Sequence, residues 1–317
     1  MAIATNTFTT YSAKGIREEL SNLIYNISPE ETPFVSNIGK GTIANTSFDW
    51  QTDALAAAGA NAQLEGDESS YDAVTATVRL NNYAQISRKT VVISGTEEKV
   101  NKAGRRSELA YQIAKKGSEL KRDIEFICLN GQAAVAGNAT TARQTASMQA
   151  FLKTNTSKGT GGADPTYTTT PTGTRTDGTQ RAFTETILKD VIEQVWTEGG
   201  TPKILMVGSF NKQAASGFAG IAASRVAASA APTTIVASAD IYVSDFGNVN
   251  IVPNRFQRAR DAFVIDPEYI SIDYLRPMQT MEMAKTGDAD KRLMLAEWGL
   301  RVHTEKAHGI CADLTTA

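Results

Sequence analysis

The chain of 317 residues is poor in the side chains that most often carry chemistry. It has two cysteines, Cys128 and Cys311, far apart and in no CxxC pair, so no disulfide framework is available and two buried thiols is the plain reading. It has two histidines, His303 and His308, five positions apart. A zinc pair on a helix needs a spacing of three or four and on a strand an even one, so these two do not form a recognisable site, even with Cys311 nearby. Neither sign of charge dominates: 32 basic and 34 acidic side chains leave a formal charge of −2. That balance lacks the basic excess of a dedicated nucleic-acid binder, although it leaves room for contact with packaged nucleic acid on one face. No apolar run is long enough to span a membrane. The opening residues, MAIATNTFTTYSAKGI, lack the basic and then apolar order of a signal peptide. The glycosylation triplets at Asn45, Asn138 and Asn155 therefore carry no weight.

What is present is an ordinary globular composition, 41 % hydrophobic and 21 % charged, enough for one large or two modest domains. Its most conspicuous periodicity predicts a single helix over 97–130, about 50 Å long. Val100, Ala103, Ser107, Ala110, Ala114, Gly117, Lys121, Ile124 and Cys128 fall at alternating steps of three and four with one charged break at Lys121, widened by Ile113, Leu120 and Ile127. Its other faces carry both signs, with Arg105, Arg106, Lys115, Lys116, Lys121 and Arg122 among Glu108, Glu119, Asp123 and Glu125. That mixture suits a solvated face or salt bridges between repeated copies.

Before this helix, 1–11 reads as polar and extended, 13–27 as a short amphipathic helix, and Ser28-Pro29-Glu30-Glu31 as a helix start. Residues 46–53 and 73–94 alternate, with Phe48 and Trp50 on one face and Val74, Ala76, Val78 and Leu80 on another. Together they predict a long hairpin with a flexible tip bearing Glu65, Asp67 and Glu68. A lone hairpin is marginal in water, so burial has to come from outside it. After the helix, 154–180 is rich in Thr, Gly and Pro and reads as an exposed loop. From Phe183 the texture is α/β: a helix from Thr184 to Glu198, a buried strand at 203–207, a helix from Ser209, and strands at 235–244, 248–253, 261–266 and 268–275. A last strand is expected over 291–306.

Motifs that resemble active sites fail on context. Asp245-Phe246-Gly247 has no glycine-rich loop or HRD partner and reads as a hairpin turn. Ser209 to Lys212, Ser244 to Phe246 and Lys285 to Gly287 imitate the series of penicillin-recognising enzymes, but Phe246 replaces the substrate-binding Asn and the gaps are short. Gly39-Lys40-Gly41-Thr42 interrupts the phosphate-loop pattern and reads as a loop. The acidic tip lacks the ligand ladder of a calcium loop.

The order of parts resembles the major capsid proteins of tailed phages with the Hong Kong 97-type fold. Thr32-Pro33-Phe34, Trp50-Gln51-Thr52-Asp53, Glu65-Gly66-Asp67, Ser94-Gly95-Thr96, Glu119 to Glu125, Ile251-Val252-Pro253-Asn254-Arg255, Leu275-Arg276-Pro277 and Ala284 to Asp288 are similar to stretches of phage major head proteins. The resemblance covers nearly the whole chain, apart from the Thr/Gly-rich loop and the Ala-rich 221–238. It implies an α+β fold: an N-terminal arm over 1–45, an extended hairpin (the E-loop) with flanking strands over 46–94, and a peripheral domain over 95–182 containing the spine helix. An α/β axial domain over 183–270 and return strands over 271–317 complete it.

The implied function is self-assembly into an icosahedral head around double-stranded DNA, without catalysis, cofactor or metal. The implied partners are the chain itself as hexamers and pentamers, a separate scaffolding protein, a portal, a decoration protein, and DNA contacted non-specifically on the inner face. No membrane is involved, and the location is the virion, assembled in the host cytoplasm. Candidate contact residues between copies are Glu65, Asp67, Glu68, Arg105, Arg106, Lys115, Lys116 and Arg276. Two other classes are a soluble enzyme built on carboxylates or lysine, which needs a deep pocket, and a cell-surface array protein, which needs a secretion signal.

Overall fold

The computed structural model describes residues 31–66, 68, 71, 73–100, 107–218 and 240–317. The sequence-based expectations for 1–30, 101–106 and 221–238 lie outside them, as do Asp67, Arg105 and Arg106. The architecture is α+β, with two main sheets and a separate two-stranded ribbon.

The chain enters through a short helix, α1 (Pro33–Asn37), and an edge strand, β1 (Gly39–Thr42). The GKGT stretch is thus a strand and not a loop, because it finds a parallel partner far away in sequence. Next come β2 (Ser47–Thr52) and β3 (Val78–Tyr83), paired antiparallel with Trp50 opposite Leu80. β4 (Gln85–Ser94) leaves the hairpin and joins another sheet, so the alternation over 73–94 belongs to two strands in different sheets.

The helix expected over 97–130 is two helices. α2 (Gly95–Lys99) starts on Ser94, whose hydroxyl accepts the Glu97 N–H, and stops where Val100 turns extended. α3 (Glu108–Leu129) starts on Ser107, whose hydroxyl accepts the Ala110 N–H at 3.2 Å. The Glu98 carboxylate adds to this cap by accepting the N–H groups of Glu108 and Leu109. At 22 residues α3 is about 33 Å long. Its inward stripe runs through Ile113, Gly117, Leu120, Ile124 and Cys128 onto β4 and a long strand near the C-terminus, whereas Ala110 and Ala114 face solvent.

The short helix α4 (Met148–Phe151) is wholly buried and precedes β5 (Thr156–Ser157). α5 (Glu185–Thr197), β6 (Ile204–Val207), α6 (Ser209–Ser216), β7 (Ile241–Ser244), β8 (Gly247–Pro253) and β9 (Ala262–Ile265) follow in the expected alternation. The Asp245-Phe246-Gly247 triplet is the turn between β7 and β8, closed by a hydrogen bond from the Ser244 hydroxyl to the Gly247 carbonyl at 2.7 Å. Two long strands, β10 (Ile270–Glu282) and β11 (Ala289–Val302), then form an antiparallel pair, and β12 (Gly309–Cys311) ends the chain's regular structure. One sheet runs β1-β10-β11-β4 and the other β5-β12-β9-β6-β8-β7.

The Thr/Gly-rich stretch is bound to the body and is not a free loop. β5 pairs in parallel with β12, and Ala163 bridges Thr176. The buried Asp313 carboxylate accepts the N–H groups of Gly159 at 3.0 Å and Gly178 at 2.8 Å and takes an ion pair from Arg260 at 3.1 Å. Asp177 pairs with Arg258 and Arg260, and Asp164 with the buried Arg175. Small residues let the backbone approach these carboxylates, and buried polar partners supply the hold that apolar burial does not.

Candidate inter-subunit surface

The hairpin is rigid at its root and bare beyond it. Phe48 and Trp50, on one face of β2 as their alternation predicts, stack with ring centroids 5.9 Å apart, and Trp50 meets Phe151 at 6.0 Å. The Trp50 indole N–H donates to the His303 carbonyl at 3.2 Å. Gly299 of β11 is a close-approach position, since a Cβ there would collide with the Phe48 ring. The Arg301 guanidinium lies 5.4 Å from the Phe48 ring centre and pairs with Asp273 at 2.7 Å. Past Thr52 the described residues up to Thr77 belong to no helix or strand. There Leu55, Leu64, Tyr71 and Val74 are 81–100 % exposed. Sequence reasoning singled out the acidic tip, passed over Leu55, Leu64 and Tyr71, and put Val74 on a strand face, whereas the strand begins only at Val78 and Val74 stands exposed. Their signal was present as isolated large apolar residues in an Ala-, Gly- and acid-rich stretch.

The charged residues named from the sequence separate into two groups. Glu65 and Glu68 are exposed at the hairpin tip. Lys115 is exposed on α3. Lys116, by contrast, is held by Glu119 at 2.7 Å, one turn along the same helix. Arg276 is held at 2.7 Å by the buried Glu297, which also pairs with Arg143 at 2.6 Å. These last two are satisfied within the chain, because each found a carboxylate on its own helix or on the adjacent strand. The solvent face of α3 presents Ala110, Ala114, Lys115, Ser118, Lys121 and Arg122 with no acidic residue among them. Asp123 turns away from that face to pair with Lys89 at 2.6 Å.

The rare residues are structural. Burial lowers the His308 pKa to about 4, so the ring is neutral; its Nδ1 accepts the Asp266 N–H at 3.2 Å and its Nε2 faces the Tyr269 carbonyl at 3.3 Å. His303 is also shifted down, by burial and then by the Arg301 charge. Cys128 and Cys311 are fully buried, and burial pushes both thiols up, Cys311 to about 12. Among the described residues no group of His, Cys, Asp and Glu is arranged to hold a metal ion, and no helix is long and apolar enough to cross a membrane.

Residues 3–315 match the family model of the SU10 major capsid protein. The chain belongs to that family. The major capsid protein of Escherichia phage Phieco32 is 46 % identical over 127 residues, which are 40 % of this chain and 36 % of that protein. The matched stretch thus spans about a third of that relative's length. In three dimensions this SU10-family chain is similar to the capsid asymmetric unit of cyanophage A-1(L), with a TM-score of 0.71 at 10 % identity, over 97 % of this chain and 100 % of that one. It is similar to Gordonia phage Cozz with a TM-score of 0.61 at 12 % identity, over 99 % and 98 %. At such identities the likeness carries the fold, which is the Hong Kong 97-type fold of phage capsids.

Proposed function

We propose that this chain is the structural subunit of an icosahedral phage head enclosing double-stranded DNA, that it acts by self-assembly, and that it performs no catalysis. Its copies form hexamers and pentamers within the virion shell, with a scaffolding protein, a portal and a decoration protein as partners of assembly, and its inner face touches DNA without reading sequence. The observation that carries this reading is the hairpin: four large apolar side chains stand 81–100 % exposed on a segment with no regular structure of its own. Burying each against another chain contributes about 1.5–3 kcal/mol. A hairpin laid on a neighbour is a head-to-tail contact, which closes into rings. Contacts that are weak singly become strong in a closed assembly, because each further one forms at high effective concentration.

The acidic tip, Glu65 to Glu68, lies on the acid-free face of α3 of the neighbour, where Lys115, Lys121 and Arg122 receive it. The family membership and the charge complementarity of two exposed surfaces on one chain support this pairing. The test is expression of the chain with its scaffold, followed by negative-stain microscopy and size-exclusion chromatography. Shells are expected from the wild type. Leu55→Ser with Val74→Ser is expected to leave folded subunits that do not assemble, and reversal of Glu65 and Glu68 to Lys to lower particle yield most at low salt, where screening is least. A wild type that stays monomeric at every salt concentration with the scaffold present overturns the reading.

A further inference from the structure

The root of the hairpin rests on a polar cluster at the start of β10 and the end of β11. The two strands run antiparallel with Ser271 opposite Arg301 and Asp273 opposite Gly299, so these four positions share one face. β2 lies over that face. The Phe48 ring occupies the space left by Gly299, and the Arg301 guanidinium is 5.4 Å from the Phe48 ring centre and 5.9 Å from that of Trp50. Arg301 pairs with the buried Asp273 at 2.7 Å. Asp273 also accepts the Ser271 hydroxyl at 2.9 Å, and the Ser271 oxygen is 3.4 Å from Nε2 of His303. Ser271 gives its one hydroxyl proton to Asp273, so a lone pair faces His303 and the neutral ring carries its proton on Nε2. Nδ1 is then the atom that takes a second proton. The same residue holds the hairpin directly, because its carbonyl accepts the Trp50 indole N–H at 3.2 Å.

The charged and titratable groups around the ring come from four directions. Arg301 is on its own strand and Asp273 on β10, and the His303 N–H donates to the Tyr269 carbonyl at 2.9 Å. Asp53, Glu198 and Lys306 line the same 740 Å³ cavity as His303, with Lys306 held by Glu198 at 2.7 Å. His308 is near and neutral. On the ribbon, Asp49 and Arg79 pair with each other. Burial and then the Arg301 charge hold the His303 pKa below its ordinary value, opposed by Asp273. A ring shifted down is neutral at pH 7, and its charging in acid works against the folded arrangement.

We propose that His303 is an acid-responsive latch on the hairpin. A second proton on its ring sets a cation beside Arg301 and competes, through Ser271, for Asp273. Arg301 loses its anchor, the platform under Phe48 and Trp50 is withdrawn, and β2 pivots off the frame. The pivot is at Asn82, whose amide donates to the Leu300 carbonyl at 2.7 Å and the Thr145 hydroxyl at 3.0 Å, contacts with no titrating charge. Asn82 stands opposite Phe48, so the pair Trp50 and Leu80, farther from the pivot, moves more. A ribbon of two strands depends on such outside packing. This device belongs to the single subunit and does not depend on the shell reading.

Amide exchange by mass spectrometry on the dilute, full-length subunit tests it, with rates corrected for the intrinsic effect of pH. From about pH 7.5 to about pH 4.5, exchange over 49–52 and 78–80 is expected to rise about tenfold, as when two part-exposed cation–ring contacts are lost. Residues 81–83 respond less. His303→Gln keeps the carbonyl that binds Trp50 but takes no proton, and its ribbon stays flat over the same range. Ser271→Ala cuts the route to Asp273 and responds less than wild type. The central strand β6 behaves alike in all three proteins. Equal acid responses in wild type and His303→Gln, a wild-type ribbon that does not respond, or a full response in Ser271→Ala each overturn the inference.

Discussion

Glu125 offers the sharpest test of how the chain is held together. It is a fully buried carboxylate in the last two turns of α3, and it joins three separate parts of the fold. Its Oε1 accepts the Phe34 N–H at 2.7 Å and the Asn254 amide N–H at 2.6 Å, and its Oε2 accepts the Val35 N–H at 2.8 Å. Phe34 and Val35 are in the first turn of α1, where N–H groups have no partner inside the helix, so a side chain 90 residues away caps it. Burial raises the Glu125 pKa, opposed in turn by the Val35, Phe34 and Asn254 hydrogen bonds. The site therefore depends on those three donors.

Glu125→Ala leaves two buried donors, on Phe34 and Asn254, and the part-buried Val35 N–H without this acceptor. Each costs about 1–3 kcal/mol. The sum is offset because the desolvated carboxylate is also gone, so the expected net loss is about 3–5 kcal/mol, the range found when one partner of a buried charged contact is removed. Glu125→Gln keeps one acceptor oxygen but turns an NH₂ toward the donors, and about half that loss is expected. Chemical denaturation followed by the buried Trp50 and Trp298 gives the global change. Amide exchange at Phe34 and Val35 gives the local one, with both accelerating in either variant. A loss below about 1 kcal/mol for the Ala variant, with exchange at Phe34 and Val35 unchanged, refutes the reasoning.

Two further predictions concern pH and the Thr/Gly-rich segment. His308 is depressed from 6.5 to about 4, so between those values the unfolded chain binds a proton that the folded chain does not, and about 3 kcal/mol of stability is lost as pH falls. Asp261 is raised by burial from 3.8 to about 6, so there the folded chain holds the extra proton and stability grows by about 3 kcal/mol as pH falls. The two nearly cancel. Relative to wild type, His308→Gln is expected to gain stability between about pH 7 and pH 4.5 and Asp261→Asn to lose it; parallel curves for all three proteins in urea titrations contradict the assignment. Asp313 sits at φ 59°, a conformation that an Asp or Asn side chain tolerates better than most, and anchors the 159–178 segment. Asp313→Ala is expected to cost about 3–5 kcal/mol and to open that segment to limited proteolysis, and Asp313→Asn to cost less; uncut protein after Asp313→Ala removes the anchor role.

Local pattern was a good guide wherever one element decides its own burial. Phe48 and Trp50, the KILMV strand, the Thr184-capped helix and the turn at Gly247 all stand where alternation, periodicity or a cap residue puts them. It failed where the deciding partner is distant. The run 97–130 looked continuous because helix formers fill it, yet Ser94 and Ser107 both act as caps and Glu98 reaches across to the second. GKGT became a strand through a partner more than 200 residues away. The 154–180 stretch reads as exposed on apolar content alone, and it is fixed by carboxylates and arginines from 258–313 that no local window contains. On the candidate surface, charge type alone does not reveal that Glu119 and Glu297 pair with Lys116 and Arg276 inside the chain.

That division between charges satisfied at home and groups left open also bears on how the subunit works. Glu297, Glu125, Asp313 and Asp273 are buried with partners drawn from separate segments, and removing any of them strands a polar group inside the protein. The frame is therefore specified tightly and independently of other chains. The hairpin beyond Thr52 belongs to no helix or strand among the described residues, and large apolar side chains stand exposed on it. A soluble monomer rarely leaves large apolar side chains so exposed on one projecting segment, since they favour aggregation. They are tolerable when another chain covers them. On the proposed assembly, the root held by Phe48, Trp50 and Gly299 sets the direction in which the hairpin leaves the frame, whereas the tip supplies contact energy. On this reasoning, changes at the root alter which assembly forms, and changes at the tip alter how much of it forms.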